Sequence, residues 1–471
     1  MNRRAFVKNS TVLGAGILIN KGSYSATPDY PLVRVAAGKR KFTSEAVEKA
    51  ITTFQAGVKD KELAWLFNNC FPNTLDTTVQ YTVTGGRPDT YVITGDIDAM
   101  WLRDSSAQVW PYLALMKGDE PLKKLISGVV NRQTQCILRD PYANAFYHDE
   151  SKTGEWKSDF TAMKPGVHER KWEIDSLCYP IRLAYAYWKG SGDSTPFNDD
   201  WQRAIETILR TFREQQRKEG DGPYSFQRRA RTATDTQPMA GFGYPVKPVG
   251  LICSAFRPSD DATVYSFLIP SNFFAVLSLR QAAEMVKAIR HNEQLAAELV
   301  ALAAEVERAL QQHAVVNHPV YGKVYAFEVN GFGSTNLMDD ANVPSLLSLP
   351  YLGAVKNSDP IYINTRRMLL SSDNPFFYKG TAAAGIGGPH VGKDMIWPLG
   401  IIIQGLTSSR DAEIKDCVRM LKATHAETGF MHESFHKDDP KKFTRSWFAW
   451  ANTIFGEFLW KVYREKPQLL A

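Results

Sequence analysis

The stretch EQLAAELVALAAEVERALQQH, Glu293–His313, sets Leu295, Leu299, Leu302, Val306 and Leu310 three or four residues apart, with charged and amide side chains between them. That spacing follows the 3.6-residue helical turn and puts one apolar stripe along one helix face. The same rhythm recurs in EPLKKLISGVVNRQTQCIL (120–138), EIDSLCYPIRLAYAYW (173–188), FNDDWQRAIETILRTFREQQRK (197–218) and SNFFAVLSLRQAAEMVKAIR (271–290). MIWPLGIIIQGLTS (395–408), DAEIKDCVRMLKATH (411–425) and SWFAWANTIFGEFLWKVYR (446–464) continue it. TSEAVEKAITTFQAG (43–57) opens with a threonine cap and a glutamate placed for a capping box. The sum is roughly a dozen helices of ordinary length.

Period-2 runs are few and short. TVQYTVTG (78–85), TYVITG (90–95) and GKVYAFEVN (322–330) read as strands within loops. No Gly/Ser linker or charge block divides the chain, and no fixed-period repeat of the kind an open solenoid requires is present. Sequential helices of this kind bury their apolar faces by closing into a double ring. The expected fold is therefore all-α, an (α/α)6 double-ring helical barrel with a few short strands in the loops.

Composition narrows the function classes. The 56 basic and 50 acidic residues nearly balance, leaving +6, so no nucleic-acid or membrane partner is indicated. Cys70, Cys136, Cys178, Cys253 and Cys417 are far apart, without a C-x-x-C pair, and read as buried free thiols. The N-terminus differs: Arg3-Arg4 and Phe6 precede the apolar run TVLGAGILI, small residues follow at Ser25-Ala26, and no acid appears before Asp29. This is the pattern of an export signal over residues 1–26, of twin-arginine type. It leaves a single domain over 27–471 in a periplasmic or exported protein. The apolar run is too short to span a bilayer.

Chemistry concentrates in the loops. In TGDIDAMWLRDSSAQVWPYL (94–113), Trp101, Arg103 and Asp104 stand together, either capping a helix or offering hydrogen bonds of opposite polarity to a polyol. HERKWEIDSLCYPIRLAYAYW (168–188) sets Glu173 and Asp175 at a helix mouth, where the helix dipole alone would account for acids. In FRPSDDATVYSFLIPSN (256–272) the adjacent carboxylates Asp260 and Asp261 disfavour one another's ionisation, so one of them can keep a proton and serve as an acid; a Ser-Asp helix cap is the other reading. The glycine loop GTAAAGIGGPHVGKDMIWPLG (380–400) lacks the order of a nucleotide loop. It reads as a close approach of backbone to ligand, with His390 a neutral hydrogen-bonding contact and Trp397 an apolar wall.

GFMHESFHKDD (429–439) holds His432-Glu433-Ser434-Phe435-His436, the H-E-x-x-H letters of zinc proteases, for which Glu457 could be a third ligand. A zinc protease needs that pentad in mid-helix, whereas Gly429 and Pro440 bracket it as a loop. Glu433 can then act as a base without metal.

Five of these stretches together resemble glycoside hydrolase family 125, bacterial exo-α-1,6-mannosidases: GDIDAMWLRDSSAQVWPYL, ERKWEIDSLCYPIRLAY, FRPSDDATVYSFLIPSN, GGPHVGKDMIWPLGI and GFMHESFHKDDPKKFTRSWFAWANTIFGE. The resemblance implies a ring of six helix pairs and hydrolysis of mannose-containing glycans with inversion, requiring no metal or other cofactor. It also implies Asp260 as general acid, with Asp261 the alternative, and Glu433 as general base. Arg103 and Asp104 match its sugar-holding motif, and Trp101, Glu173, Asp175 and His390 lie in matching stretches as further substrate contacts. The rival readings are a zinc metalloprotease using His432, Glu433 and His436, a non-catalytic glycan-binding protein, and an exo-α-glucosidase.

Overall fold

The computed structural model describes residues 30–470, so the expected export signal over 1–26 lies outside the described residues. Val33–Ala471 forms one compact unit. Its principal helices are α1 (Glu45–Gly57), α2 (Lys61–Cys70), α3 (Leu102–Val109), α4 (Glu120–Arg139), α5 (Ile174–Ser191), α6 (Asp199–Gln215) and α7 (Ile269–Met285). They continue with α8 (Glu293–His313), α9 (Leu349–Leu352), α10 (Pro360–Leu369), α11 (Pro398–Leu406), α12 (Asp411–Ala423) and α13 (Ala449–Glu465).

The stripe read from α8 is the stripe that is buried: Leu295, Leu299, Leu302, Val306 and Leu310 all face inward. Each such side chain contributes roughly 1.5–3 kcal/mol on leaving water. Polar caps start several helices where they are needed. Asn292 accepts from Leu295 N at 3.0 Å, Asp119 from Leu122 N at 2.9 Å, and Asp359 from Tyr362 N at 2.8 Å. Helix α1 corrects the expected cap. Ser44, not the threonine before it, accepts from Val47 N, and the carboxylate that completes the cap belongs to the distant Asp119, which accepts from Ser44 Oγ at 2.6 Å.

Packing sorts the helices into two layers. Helix α3 packs on α5, α5 on α7, α7 on α9, α11 on α13, and α13 back on α3, five of the six neighbour pairs of an inner ring. Around it α4 packs on α6, α6 on α8, and α12 on α2. Every residue of α3 is buried, as an inner helix requires, whereas α8 buries only one face. The last inner helix, α13, takes its outer partner α2 from the start of the chain. The fold is an (α/α)6 double ring. All five cysteines are buried free thiols, and no helix among the described residues is long and apolar enough to cross a membrane.

The connections are unequal. Segments running from an outer helix to the next inner one are long (71–101, 140–173, 216–268, 314–348, 370–397 and 424–448), and those returning are short (110–119, 192–198, 286–292, 353–359 and 407–410). All the long segments therefore lie at the N-terminal ends of the inner helices. Three small antiparallel sheets tie them in pairs. Met100–Trp101, Ala145–Phe146 and Val167–Glu169 join the segments before α3 and α5. Phe267–Leu268, Glu328–Val329 and Thr335–Asn336 join those before α7 and α9. Met395–Ile396, Ser434–His436 and Asp439–Thr444 join those before α11 and α13. The expected strands are present as two hairpins, Val79–Thr84 with Arg87–Val92 and Val315–His318 with Gly322–Tyr325.

Candidate active site

Arg103, one residue into α3, is the centre of the charged cluster. Its side chain is only 3% exposed, and four carboxylates surround it. Nη1 donates to Glu173 Oε2 at 2.6 Å and to Asp175 Oδ2 at 3.1 Å, Nη2 to Asp260 Oδ1 at 3.3 Å, and Nε lies 3.5 Å from Asp104 Oδ2. Glu173 and Asp175 flank the first residue of α5, so the two helix mouths are cross-linked through one guanidinium. Asp104 also accepts from Thr94 Oγ1 at 2.7 Å.

Asp260 sits at the tip of a tight turn. Its N–H donates to Arg257 O and the Arg257 N–H to Asp261 O, both at 2.8 Å, and Asp260 adopts φ +65°, a left-handed conformation that aspartate tolerates better than most residues. The turn is anchored below by Arg257 Nε on Glu328 Oε1 at 2.7 Å and clamped by Lys171 Nζ on Asp260 O at 2.8 Å. The geometry separates the two adjacent acids. The Asp260 side chain is 25% exposed and open to solvent, whereas that of Asp261 is 4% exposed and faces His390 Nδ1 at 3.3 Å.

Two expectations about protonation are corrected here. Burial opposes a charge on His390, but the Asp261 carboxylate in contact with it, helped by Glu433 and Asp260, raises its pKa to about 9. His390 is thus an imidazolium at neutral pH, not a neutral contact. The carboxyl whose ionisation is held back is that of Glu173, not one of the adjacent pair Asp260 and Asp261. Burial and Glu169 push the Asp260 carboxyl up, but Lys171, Arg103 and a hydrogen bond from Glu173 hold it below the usual carboxylate range. Glu173, fully buried and beside Asp260 and Asp175, is pushed well above that range despite Arg103. Asp175 is raised to about 6 by burial, against the pull of Arg103.

Glu433 comes from the segment before α13. The pentad around it forms no helix: Ser434–His436 is a strand, and the two histidines have separate partners. His432 stacks on Phe443 with ring centroids 3.7 Å apart and its Nε2 lies 3.2 Å from Thr428 Oγ1, while His436 Nδ1 accepts from Asp438 N at 3.2 Å. Burial lowers the His432 pKa to about 4. The one-turn spacing that lets two histidines grip a zinc ion is therefore missing. Among the described residues no group of three His, Cys, Asp or Glu is arranged to hold a metal. Glu457, the suggested third ligand, accepts instead from Tyr351 Oη at 2.9 Å.

Arg445 lies 3.5 Å from Glu433 Oε1 through Nη1 and donates through Nε to Asp96 Oδ1 at 2.8 Å. Gly95 makes this approach possible: at φ +135°, a Cβ there would stand 2.4 Å from Trp447 O. The segment bearing His390 links the two loops: His390 faces Asp261 at 3.3 Å, and a few residues on Met395–Ile396 pairs with the strand that follows Glu433. Trp101 lies edge-on to His168 at 5.1 Å and Trp397 near His390 at 6.3 Å, both largely buried with indole N–H groups that have no acceptor among the described residues. A separate cavity of about 480 Å³ lined by Phe273, Leu277, Arg280, Tyr325 and Val355 shares none of these residues.

The structure thus gathers Trp101, Arg103, Asp104, Glu173, Asp175, Asp260, Asp261, His390 and Glu433 at one end of the ring. It adds residues that sequence reading passed over: Asn144, whose Nδ2 lies 3.4 Å from Asp260 Oδ1, Lys171, and Arg445, which is held by Asp96 of the Trp101 stretch. Lys171 and Arg445 lay inside quoted stretches, yet a lone basic residue in a loop carries no spacing signal.

A helical ring with carboxylates gathered at the mouths of its inner helices can hold a polyol and move protons at it, and sequence similarity places the chain among the glycoside hydrolases. The family model for metal-independent α-mannosidases, GH125, matches residues 60–460. The chain is 43% identical over 458 residues to the meiotically up-regulated gene 157 protein of Schizosaccharomyces pombe, covering 93% of this chain and 90% of that one. It is 41% identical, with a TM-score of 0.87, to a Streptococcus pneumoniae metal-independent α-mannosidase solved in a non-productive complex with α-1,6-mannobiose; the match covers 90% of this chain and 100% of that one. A glucoamylase from Saccharomycopsis fibuligera shares the fold at 12% identity and TM-score 0.54, over 92% and 99% of the two chains. The chain belongs to glycoside hydrolase family 125 and is a metal-independent α-mannosidase.

Proposed function

We propose that the chain is an inverting exo-enzyme that releases mannose from the non-reducing end of α-1,6-linked mannosides. The observation that carries this reading is the placing of an open carboxyl, Asp260, and a second carboxylate, Glu433, on loops that the segment 390–396 joins. Asp260, a quarter exposed on its strained turn, passes a proton to the glycosidic oxygen as the C1–O bond breaks. Glu433, bordered by Arg445 and the His390 imidazolium, takes a proton from the water that attacks C1 from the opposite face. In this class the two carboxyls stand about 6.5–9.5 Å apart, leaving room for that water. The product is β-mannose.

Arg103 and Asp104 present donors and an acceptor to neighbouring sugar hydroxyls, and the buried indoles of Trp101 and Trp397 offer apolar edges and free N–H donors. The α-1,6 linkage is supported by the mannobiose bound to the pneumococcal relative. An exo mode is supported by the long segments gathered at one end of the ring, which suit a pocket closed on one side. The basic, apolar and small-residue pattern of the first 26 residues supports action outside the cytoplasm.

Incubation with α-1,2-, α-1,3- and α-1,6-mannobiose and with isomaltose tests linkage and sugar together. Mannose release from the 1,6-linked dimer well above the others is expected; preferential cleavage of another linkage, or of the glucoside, overturns the specificity.

A further inference from the structure

Glu173 is placed where no sugar hydroxyl reaches it. Its side chain is 0% exposed, Oε2 is taken by Arg103 at 2.6 Å and Ser176 Oγ at 2.9 Å, and Oε1 is buried with no N–H or O–H donor facing it. Its carboxyl and that of Asp260 lie on the same guanidinium, Glu173 on Nη1 and Asp260 on Nη2 of Arg103. Four carboxylates around one guanidinium, three of them buried, cannot all be charged, so the cluster requires a proton. The surroundings limit it to about one. On Glu173 and Asp260 act the cation Arg103 from α3, Asp104 beside it, Asp175 from α5, and Lys171 and Glu169 from the segment before α5. Asn144 adds a neutral donor at 3.4 Å, and His390 faces Asp260 from the segment before α11.

We propose that Glu173 and Asp260 share one proton and work as a single acid, Asp260 presenting it to the leaving oxygen and Glu173 holding it between turnovers. The inference rests on Asp260 being the donor, as proposed above. Asp260 alone opens to solvent; Glu173, sealed behind it, is a positioning residue that acts only through Asp260. During cleavage the proton moves from the pair to the glycosidic oxygen, which keeps the electron pair of the broken C1–O bond. The attacking water gives its proton to Glu433 and its oxygen to C1. The pair is left as two carboxylates facing Arg103 and Lys171, and it resets when Glu433 releases a proton to solvent and the pair takes one up. The resting proton lies on Glu173, in line with the opposite displacements of the two groups from the usual carboxylate range.

The test compares wild type, Glu173→Gln and Asp260→Asn on α-1,6-mannobiose, whose leaving alkoxide needs a proton, and on α-mannosyl fluoride, whose leaving fluoride needs far less help. With Glu173→Gln the amide still donates to Asp260 but supplies no exchangeable acid proton. Mannobiose kcat near neutral pH is expected to fall at least ~10-fold with its alkaline limb moved to lower pH, while fluoride turnover stays within about threefold. An unchanged pH profile, or equal loss on both substrates, overturns proton sharing. Wild-type activity in Asp260→Asn overturns the donor assignment itself, which keeps the two failures distinct. Should Glu173→Gln not fold, infrared difference spectra of wild type minus Asp260→Asn replace it. A protonated-carboxyl C=O band at neutral pH that changes with the Asp260 substitution supports the pair, and its absence overturns it.

Discussion

Replacing Arg103 by methionine keeps an unbranched apolar stem and removes the only cation among the described residues in direct contact with both Glu173 and Asp175. The guanidinium makes contacts of 2.6, 3.1 and 3.3 Å to Glu173, Asp175 and Asp260, inside a site where Arg103 is 3% exposed. Breaking a buried ion pair from one side costs about 3–5 kcal/mol, because the partner charge is left without compensation. The cost is relieved when the stranded carboxyls take up protons, and the sign of the pH effect follows. Without the cation their folded-state pKa values stand further above the ~3.9–4.3 of an unfolded chain. A group raised in this way contributes its full stability below the unfolded value and loses it as pH climbs through the folded value. Arg103→Met is therefore expected to lose about 3–5 kcal/mol near pH 7.5 and clearly less near pH 4.5. Denaturant unfolding at the two pH values measures the difference. A loss below ~1 kcal/mol at neutral pH, or one equal at both, would refute the claim that this guanidinium offsets the buried carboxylates.

Asp260→Asn and Glu433→Gln should each lower kcat by at least ~100-fold while mannobiose affinity by calorimetry changes little; a variant with near-normal turnover removes that residue from the chemistry. Arg445→Met, which leaves Glu433 Oε1 without its 3.5 Å cation, should cut kcat roughly tenfold and move KM less, and a pure KM effect would make Arg445 a sugar contact instead. His390 should carry its proton up to about pH 9 by NMR titration and titrate far lower in Asp261→Asn, because the contact with Asp261 is what outweighs burial. The same linkage makes wild type more stable than His390→Gln below pH 6.5, an advantage that fades as pH rises through about 9.

Much of the ring was legible because burial writes itself into helical spacing. The stripe of α8 and the apolar runs of α5, α7 and α13 are determined by the layers they face. Helix α9, of four residues, and α10, with its short PIYINTRRML run, are too brief to show a period, so those members of the ring emerge only from the structure. The three small sheets were unreadable for the same reason, since most of their strands are two or three residues long. At the site the residue types were legible and their partners were not. Adjacent letters suggested that Asp260 and Asp261 perturb one another, but the turn sends them to different neighbours, Arg103 and Asn144 for one, His390 for the other. Chain proximity is a poor guide to electrostatic contact when a loop reverses at a left-handed residue. The H-E-x-x-H letters make the converse point. Spacing carries a metal site only on a helix, and the pairing of Ser434–His436 with its two neighbouring strands takes that helix away.

The central claim is a single displacement at the anomeric carbon by water held between Glu433 and Asp260. Proton NMR of α-1,6-mannobiose during the first minutes of hydrolysis, before mutarotation, reads the configuration of the released sugar directly. β-Mannose appearing first is the predicted result. α-Mannose appearing first would mean two displacements and a covalent intermediate, and would contradict the assignment of Glu433 as the base that activates water.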